Sequence, residues 1–329
     1  SIEGDGQTPA MWLYLAELVG LFYLLRWLRE RQVVSHLHDK YVLITGCDSG
    51  FGKLLARQLD LRGLRVLAAC LTEKGDKQLR DQTSDRLEIV ILDVTETENI
   101  TAAAQWVKEH VGDRGMKLWG LVNNAGIFHP QGCSEWLSME NTNVLEGNLT
   151  GLMEVTLSVL PLVRRAQGRV ISVSSIMGRI AVFGGGYCIS KYGVETFSDI
   201  LRREDSICFG VKISIIELGY FRTEMADIPV ALMKKKQVWE EVPADIKEAY
   251  GQQYFDALQN VTKEGLQNCS TNLNLVTDCM ERTLTSVHPR TRYSAGWDSQ
   301  FFFISLSYLP TSLADYILTR FCIKLVKAI

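Results

Sequence analysis

Tyr187 and Lys191 stand four residues apart in Tyr187-Cys188-Ile189-Ser190-Lys191. On a helix that spacing puts both side chains on one face. An ammonium beside a phenol favours the phenolate, because an opposite charge stabilises the ionised form. That draws tyrosine, ordinarily near about 10, towards the working range of a general base. Taken alone, the pair is common and mostly structural. Here it follows a short apolar run, Arg169-Val170-Ile171-Ser172-Val173, which ends in Ser174-Ser175 and leads into a glycine-containing loop. In that setting, and after the glycine turn described next, the pair reads as chemistry.

The elements that must position these residues begin near Tyr41. Tyr41-Val42-Leu43-Ile44 is a short apolar strand, and Thr45-Gly46-Cys47-Asp48-Ser49-Gly50-Phe51-Gly52 follows at once. Residues Lys53 to Leu61 repeat apolar positions at helical spacing until Arg62-Gly63 stops them. Strand, glycine turn and helix together signal a dinucleotide site. A Cβ would block the approach of backbone to a pyrophosphate, and the free amides at the helix start bind the anion. The candidate cofactor residues are therefore Thr45, Gly46, Asp48, Ser49, Gly50, Phe51 and Gly52.

Arg65 to Cys70 reads as a second strand, whose end faces the adenosine ribose. A basic residue there favours the 2′-phosphate of NADP, and an acidic one hydrogen-bonds the ribose of NAD. The chain offers only Cys70, Leu71 and Thr72, so NAD is expected, with Lys74 keeping NADP as the alternative. Leu87 to Leu92 is a third strand, ending in Asp93-Val94-Thr95. Asp93 reads either as an acceptor for the adenine amine or as a helix N-cap. Leu118 to Val122 is a fourth strand, followed by Asn123-Asn124-Ala125-Gly126, and Arg169 to Val173 is a fifth. This alternation predicts an α/β fold with a doubly wound parallel sheet of Rossmann type, its ligands at the carboxyl ends of the strands.

The 329 residues are 22% charged and 47% hydrophobic, which suits one large domain with an appendage. The expected organisation is a single catalytic domain over 38–329. A net charge of −3, from 35 basic and 38 acidic residues, excludes an electrostatic nucleic-acid surface. The eight cysteines include no CxxC pair and the five histidines are scattered, so reduced thiols and no metal are expected. Residues Met11 to Leu28 are apolar on every face, interrupted only by Glu17 and Arg26, and predict a membrane helix over 11–31. A cleaved signal peptide fits poorly, since no basic region precedes the run and no small-residue cleavage site follows it. Arg26, Arg29 and Arg31 follow the run while Glu3 and Asp5 precede it, which places the downstream domain in the cytosol. Residues 1–10 differ from the rest, and Met11 is a plausible natural start, so they read as an upstream or non-native extension. Sequons at Asn99, Asn260 and Asn268 mark where glycans would report a lumenal domain instead.

T-G-C-D-S-G-F-G, L-D-V-T, N-N-A-G, V-S-S and Y-C-I-S-K occur here in the order they have in the short-chain dehydrogenases/reductases. From about Lys40 to the C-terminus the chain resembles that family. ITGCDSGFG, LAACLTEKG, LPLVRRAQGRV, GGGYCISKYGVE and HPRTRYSAGWD are similar to its microsomal retinol and hydroxysteroid dehydrogenase branch. The resemblance implies that Tyr187 removes the alcohol proton while hydride passes to the nicotinamide. Ser175 would hydrogen-bond the substrate oxygen, with Ser174 the alternative. Lys191 would lower the pKa of Tyr187 and bind the nicotinamide ribose, and Asn148 would support a proton relay to Lys191. Asn124, Ala125, Gly126, Gly219 and Thr223 would line the cofactor.

Three departures stand beside the match. Leu218 occupies a position where the family usually has proline, which fixes φ. Two extra residues appear near Gly115-Met116, and Arg203 to Cys208 differs from the usual helix end. They keep open an alternative, a catalytically impaired NAD-binding membrane-associated homologue. A substrate lid is implied at about 224–270, with Met225, Leu232, Met233, Val238 and Trp239 as apolar lining or as ordinary packing. The apolar tail at about 300–329, with Phe301, Phe302, Phe303 and Ile304, would touch lipid or cap a greasy pocket. The implied substrate is a lipophilic alcohol, a retinol or a 3- or 17-hydroxysteroid, handled at the endoplasmic reticulum membrane. Membrane lipid is the implied partner, and a homodimer stays open.

Overall fold

Runs of buried Val, Ile, Leu and Ala pair side by side into one seven-stranded sheet, in the order β3-β2-β1-β4-β5-β6-β7, with every pairing parallel. The strands are β1 (Lys40–Thr45), β2 (Arg65–Cys70), β3 (Leu87–Ile91), β4 (Lys117–Asn123), β5 (Arg169–Val173), β6 (Lys212–Leu218) and β7 (Arg292–Ala295). The computed structural model describes residues 8–112, 115–129, 131–137, 143–224 and 227–320. Successive strand side chains point to opposite faces, and both faces are covered. Val42 and Ile44 enter one core with Val66, Ala68 and Ile171, while Tyr41 and Leu43 enter the other with Leu67, Ala69 and Val170.

The helices follow from this two-sided burial. On the first face lie α2 (Gly50–Leu61), through Leu55, Ala56 and Leu59, and α11 (Asn274–Thr285), through Val276, Met280 and Leu284. On the second lie α4 (Thr97–Gly112), α6 (Gly151–Ala166) and α7 (Gly186–Phe209), through Ile100, Val107, Val155, Val159 and Leu201. Each such side chain contributes about 1.5–3 kcal/mol when fully withdrawn from water. The short α3 (Glu73–Arg80) leads into β3, and the single turn α5 (Asn143–Leu145) runs through a π turn, Glu146–Thr150, into α6. Beyond β6 come α8 (Ile228–Glu241), α9 (Ala244–Tyr250) and α10 (Gln252–Gln267). Beyond β7 come a π turn, Asp298–Phe303, then α12 (Ile304–Ser307) and α13 (Thr311–Thr319).

Two departures seen in the sequence fall within or beside regular elements, with a register shift between β1 and β4 at Tyr41/Val42 just past the extra residues. Arg203 to Cys208 stays helical in α7, which ends at Gly210 with φ +70°. Buried Asp205 there accepts from Arg164 at 2.5 Å. Gly115, at φ +64°, makes the turn from α4 to β4, and Met116 N donates to Val111 O at 3.0 Å.

The apolar N-terminal segment forms α1 (Thr8–Glu30). From Met11 to Glu30 it is long and apolar enough to cross a membrane, and none of it is buried against the rest of the chain. Residues 1–7 of the suspected extension lie outside the described residues. The base of α1 is fastened to the segment before β7. Arg290 Nε donates to Glu30 at 2.6 Å, Val34 N to Thr285 O and Val287 N to Gln32 O, each at 2.8 Å.

Candidate active site

In an open parallel sheet, ligands bind where neighbouring strands send the chain in opposite directions. Here that point lies between β1 and β4. The glycine turn leaves β1 there and Asn124-Ala125-Gly126 leaves β4. Between them opens a cavity of about 610 Å³. It reaches from Leu71, Thr72 and Asp93 at one end to Ser175, Tyr187 and Lys191 at the other.

Thr45 and Asn124 lock the two loops together. Thr45 Oγ1 accepts from Asn124 N at 3.1 Å and Ala125 N at 3.0 Å. Asn124 Nδ2 donates to Thr45 O at 2.9 Å and Gly46 O at 3.0 Å. Thr45 is buried, so it frames the cavity and does not line it. Gly52 also faces inward: a Cβ there would stand 2.2 Å from Gly46 O and 2.6 Å from Asn124 Nδ2. Gly46, Asp48, Ser49, Gly50 and Phe51 do line the cavity. Helix α2 begins at Gly50, three residues earlier than the apolar spacing predicts. Ser49, at its N-cap, makes no side-chain capping bond. The first-turn amides therefore have no acceptor from that cap. An elongated cavity with an uncapped helix N-terminus along its wall fits a dinucleotide.

At the end nearest β2, Asp48 accepts from Leu71 N at 2.6 Å, Thr72 N at 2.9 Å and Thr72 Oγ1 at 2.7 Å. The carboxylate thus sits at the end of β2. Burial, with Asp48 nearby, pushes the Cys70 thiol up to about 12. Asp93 caps neither helix nor strand: its Oδ1 accepts from Thr95 N at 2.9 Å and Thr95 Oγ1 at 2.7 Å, a local turn beside the cavity.

At the other end, β5 delivers Ser175 and α7 delivers Tyr187 and Lys191. Burial pushes the Tyr187 phenol up to about 12, and a hydrogen bond with Ser175 opposes that rise. The direction is opposite to the one expected from the Tyr-Lys spacing. The reason is geometric: Lys191 Nζ lies 5.6 Å from the Tyr187 ring centroid and donates to Val173 O at 2.9 Å. Burial lowers Lys191 itself to about 8, against the pull of Glu195 one turn on. Arg292 holds Glu195 at 2.8 Å, Asp199 at 3.2 Å and Glu217 at 3.2 Å, so a partly buried ionic network backs the helix.

Asn148 lies in the π turn before α6. Its Oδ1 accepts from Ile127 N at 2.7 Å, and its Nδ2 donates to Ile127 O at 2.9 Å and Ser190 Oγ at 3.1 Å. It grips the loop after Gly126 and makes no direct bond to Lys191. A Cβ on Gly126 would lie 2.9 Å from Asn148 Oδ1 and 3.9 Å from Lys191 Nζ, so that glycine separates the two. Gly219 and Thr223 line the cavity, as does Ser174.

The apolar wall is not the one read from the sequence. Val238 and Trp239 pack with Trp136, Val242 and Phe255 into a separate aromatic cluster. Met233 is exposed, Leu232 lies outside the lining, and Met225 lies outside the described residues. Ordinary packing between α8 and its neighbours accounts for Val238 and Trp239. The lining instead comes from Phe128, Ile176, Met177, Tyr220, Leu266 and Cys269. Phe128 meets Tyr187 edge-on at 4.8 Å, and Tyr220 meets Phe303 at 5.9 Å. Their signal in the sequence is adjacency: Phe128 follows N-N-A-G, and Tyr220 follows Gly219. Phe301 and Phe302 face outward, and among the described residues of the tail Phe303 supports the wall through Tyr220. Among the described residues, His36, His38 and Asp39 bring ligand-type atoms within 4.8 Å of one another, but they are exposed and none lines the cavity.

Comparison with known proteins agrees with this geometry. The sequence profile of the short chain dehydrogenases matches residues 40–231. Human 17-beta-hydroxysteroid dehydrogenase type 6 is 74% identical over 94% of this chain and 97% of its own length. Mouse retinol dehydrogenase 16 is 60% identical over 97% of this chain and 100% of its own. Among solved structures, a short-chain dehydrogenase from Streptomyces avermitilis superposes with a TM-score of 0.66 at 24% identity, covering 85% of this chain and 96% of that one. A short chain dehydrogenase/reductase from Burkholderia phymatum in complex with NAD gives 0.66 at 18% identity, covering 88% and 97%; both show the shared fold. With a Rossmann-type sheet, a cavity at its switch point and Ser175, Tyr187 and Lys191 gathered at one end, the chain belongs to the short-chain dehydrogenase family of oxidoreductases.

Proposed function

We propose that this protein interconverts a lipophilic alcohol, a 3- or 17-hydroxysteroid or a retinol, with its carbonyl form, using NAD, at the endoplasmic reticulum membrane. The observation that carries the reading is the meeting of Ser175, Tyr187 and Lys191 at one end of a cavity whose other end is lined by Leu71, Thr72 and Asp93. When bound, the nicotinamide would supply the hydride acceptor or donor and, when oxidised, positive charge. Tyr187 takes the proton from the alcohol hydroxyl in oxidation and returns it to the carbonyl oxygen in reduction. Ser175, within hydrogen-bonding reach of Tyr187, holds the substrate oxygen beside the phenol. Lys191 spends one of its three donors on Val173 O and has two left for ribose hydroxyls. Asn148 keeps the Gly126–Ile127 backbone in place beside Lys191. Phe128, Ile176, Met177 and Leu266 exclude water and favour an apolar substrate.

NAD is preferred because Asp48 puts a carboxylate at the end of β2, where a 2′-phosphate would meet like charge. The substrate class is supported by the apolar wall, by the exposed apolar α1 and by the names of the relatives. Helix α1 anchors the chain, and the basic residues after it keep the catalytic domain on the cytosolic side. The test incubates membranes carrying the protein with NAD or NADP and a panel of retinol, 3-hydroxysteroid and 17-hydroxysteroid. Turnover faster with NAD on at least one member is expected. No turnover with NAD bound would favour the impaired homologue that Leu218 raised.

A further inference from the structure

The loop after β6 closes the cavity beside Tyr187, and it is held from the far edge of the sheet. Leu218, Gly219 and Tyr220 line the cavity, and Leu218 O accepts from Ser175 Oγ at 3.4 Å. Three bonds from the segment at and after β7 grip this backbone. Gly219 N donates to Ala295 O at 2.9 Å. Ser299 Oγ donates to Glu217 O at 3.2 Å. Tyr220 N donates to Asp298 Oδ2 at 2.7 Å. The space over Gly219 is filled by that same carboxylate, since a Cβ there would stand 2.1 Å from Asp298 Oδ1. Gly296, at φ +96°, makes room from the other side, where a Cβ would stand 2.4 Å from the same oxygen. A proline would fix its own φ at position 218; leucine does not. The loop therefore depends on anchors outside itself.

We infer that Asp298 is a positioning residue that clamps Gly219–Tyr220 in the shape that receives the nicotinamide half of the dinucleotide. The inference rests on the dinucleotide reading above. It concerns one half of the ligand only. Asp48, Asp93 and the glycine turn, which face the adenosine and pyrophosphate, have no bond to Asp298 among those of the described residues.

Two ligands separate the halves. NAD carries the nicotinamide, and ADP-ribose lacks it while keeping everything else. Dissociation constants of both are measured by titration calorimetry on the purified full chain in detergent, for wild type, Asp298→Ala and Asp298→Asn. Loss of a charge-assisted hydrogen bond that orders the loop is expected to weaken NAD roughly tenfold or more in Asp298→Ala. ADP-ribose binding should stay within about twofold, and Asp298→Asn, which keeps an acceptor oxygen, should recover most of the NAD affinity. Should Asp298→Ala fail to fold, Gly219→Ala, which displaces the carboxylate from the other side, must show the same selective loss. Equal weakening of both ligands, or no weakening of NAD, overturns the clamp. Failure of the wild type to bind either ligand overturns the dinucleotide reading instead.

Discussion

Tyr187 is half-buried, with Phe128 edge-on at 4.8 Å and Phe183 stacked at 6.2 Å, and withdrawal from water makes it a poorer base than a tyrosine in solution. With the phenol pushed up to about 12 by burial, positive charge and hydrogen bonds must make the phenolate accessible. Alcohol oxidation uses the deprotonated form and ketone reduction the protonated one. Oxidation should therefore rise with pH through the neutral and alkaline range while reduction falls. Ser175 provides the hydrogen bond that opposes burial. In Ser175→Ala the rising limb of kcat/KM for oxidation should move to higher pH, besides losing height. A profile that drops in height without shifting would show that Ser175 does not act on the ionisation of Tyr187. At this scale the sequence was legible for Tyr187 and Lys191, because residue type and helical spacing bring them to one face, whereas the family resemblance alone favours Ser175 over Ser174. It was silent on the partners of Asn148 and on Asp298. Those contacts join segments far apart in the chain, and no local pattern encodes them.

The elements act through the loops they leave exposed. Thr45 ends β1 and supplies the one hydroxyl that satisfies two backbone amides of the loop after β4. Thr45→Val keeps the shape and removes that acceptor. Leaving buried donors unsatisfied costs about 1–3 kcal/mol, so a lower urea midpoint and weaker NAD binding are expected together. An unchanged midpoint would mean that the two loops hold themselves without Thr45. Strands β1 to β5 were read from the sequence to within about a residue, since buried parallel strands are continuous apolar runs. Strands β6 and β7 were not singled out. In β7 only four residues pair, and Arg292 and Ser294 carry polar side chains into the ionic network. Two of the expected lining residues were misplaced for a related reason: Val238 and Trp239 are apolar whether they face a substrate or Trp136, and only the fold brings Trp136 to them.

Across the whole molecule, apolar surface is concentrated at the N-terminal helix and at the C-terminal segment. Helix α1 has no buried face, and Trp297, Phe301, Tyr308 and Tyr316 are exposed near the other end. Deleting residues 1–31 should move the protein from the membrane pellet to the supernatant after carbonate washing, with NAD binding retained. Persistence in the pellet would show that the C-terminal segment is itself a sufficient membrane contact. Glu30, at the base of α1, would be lost with that deletion and its pairing with Arg290 removed. The pair is partly exposed, so its contribution to stability should be small. The long apolar helix was legible as composition, whereas its attachment beside β7 was not, because the bonds between Gln32–Val34 and Thr285–Val287 are made by backbone.

The central claim is that Tyr187 carries the proton while hydride moves to or from NAD. Its most direct test compares NADH formation from the preferred alcohol by membranes carrying wild type or Tyr187→Phe, with NAD affinity measured in parallel. A loss of roughly 10²–10⁴-fold in turnover with NAD affinity kept is the expected result. Turnover unchanged in Tyr187→Phe would contradict the account.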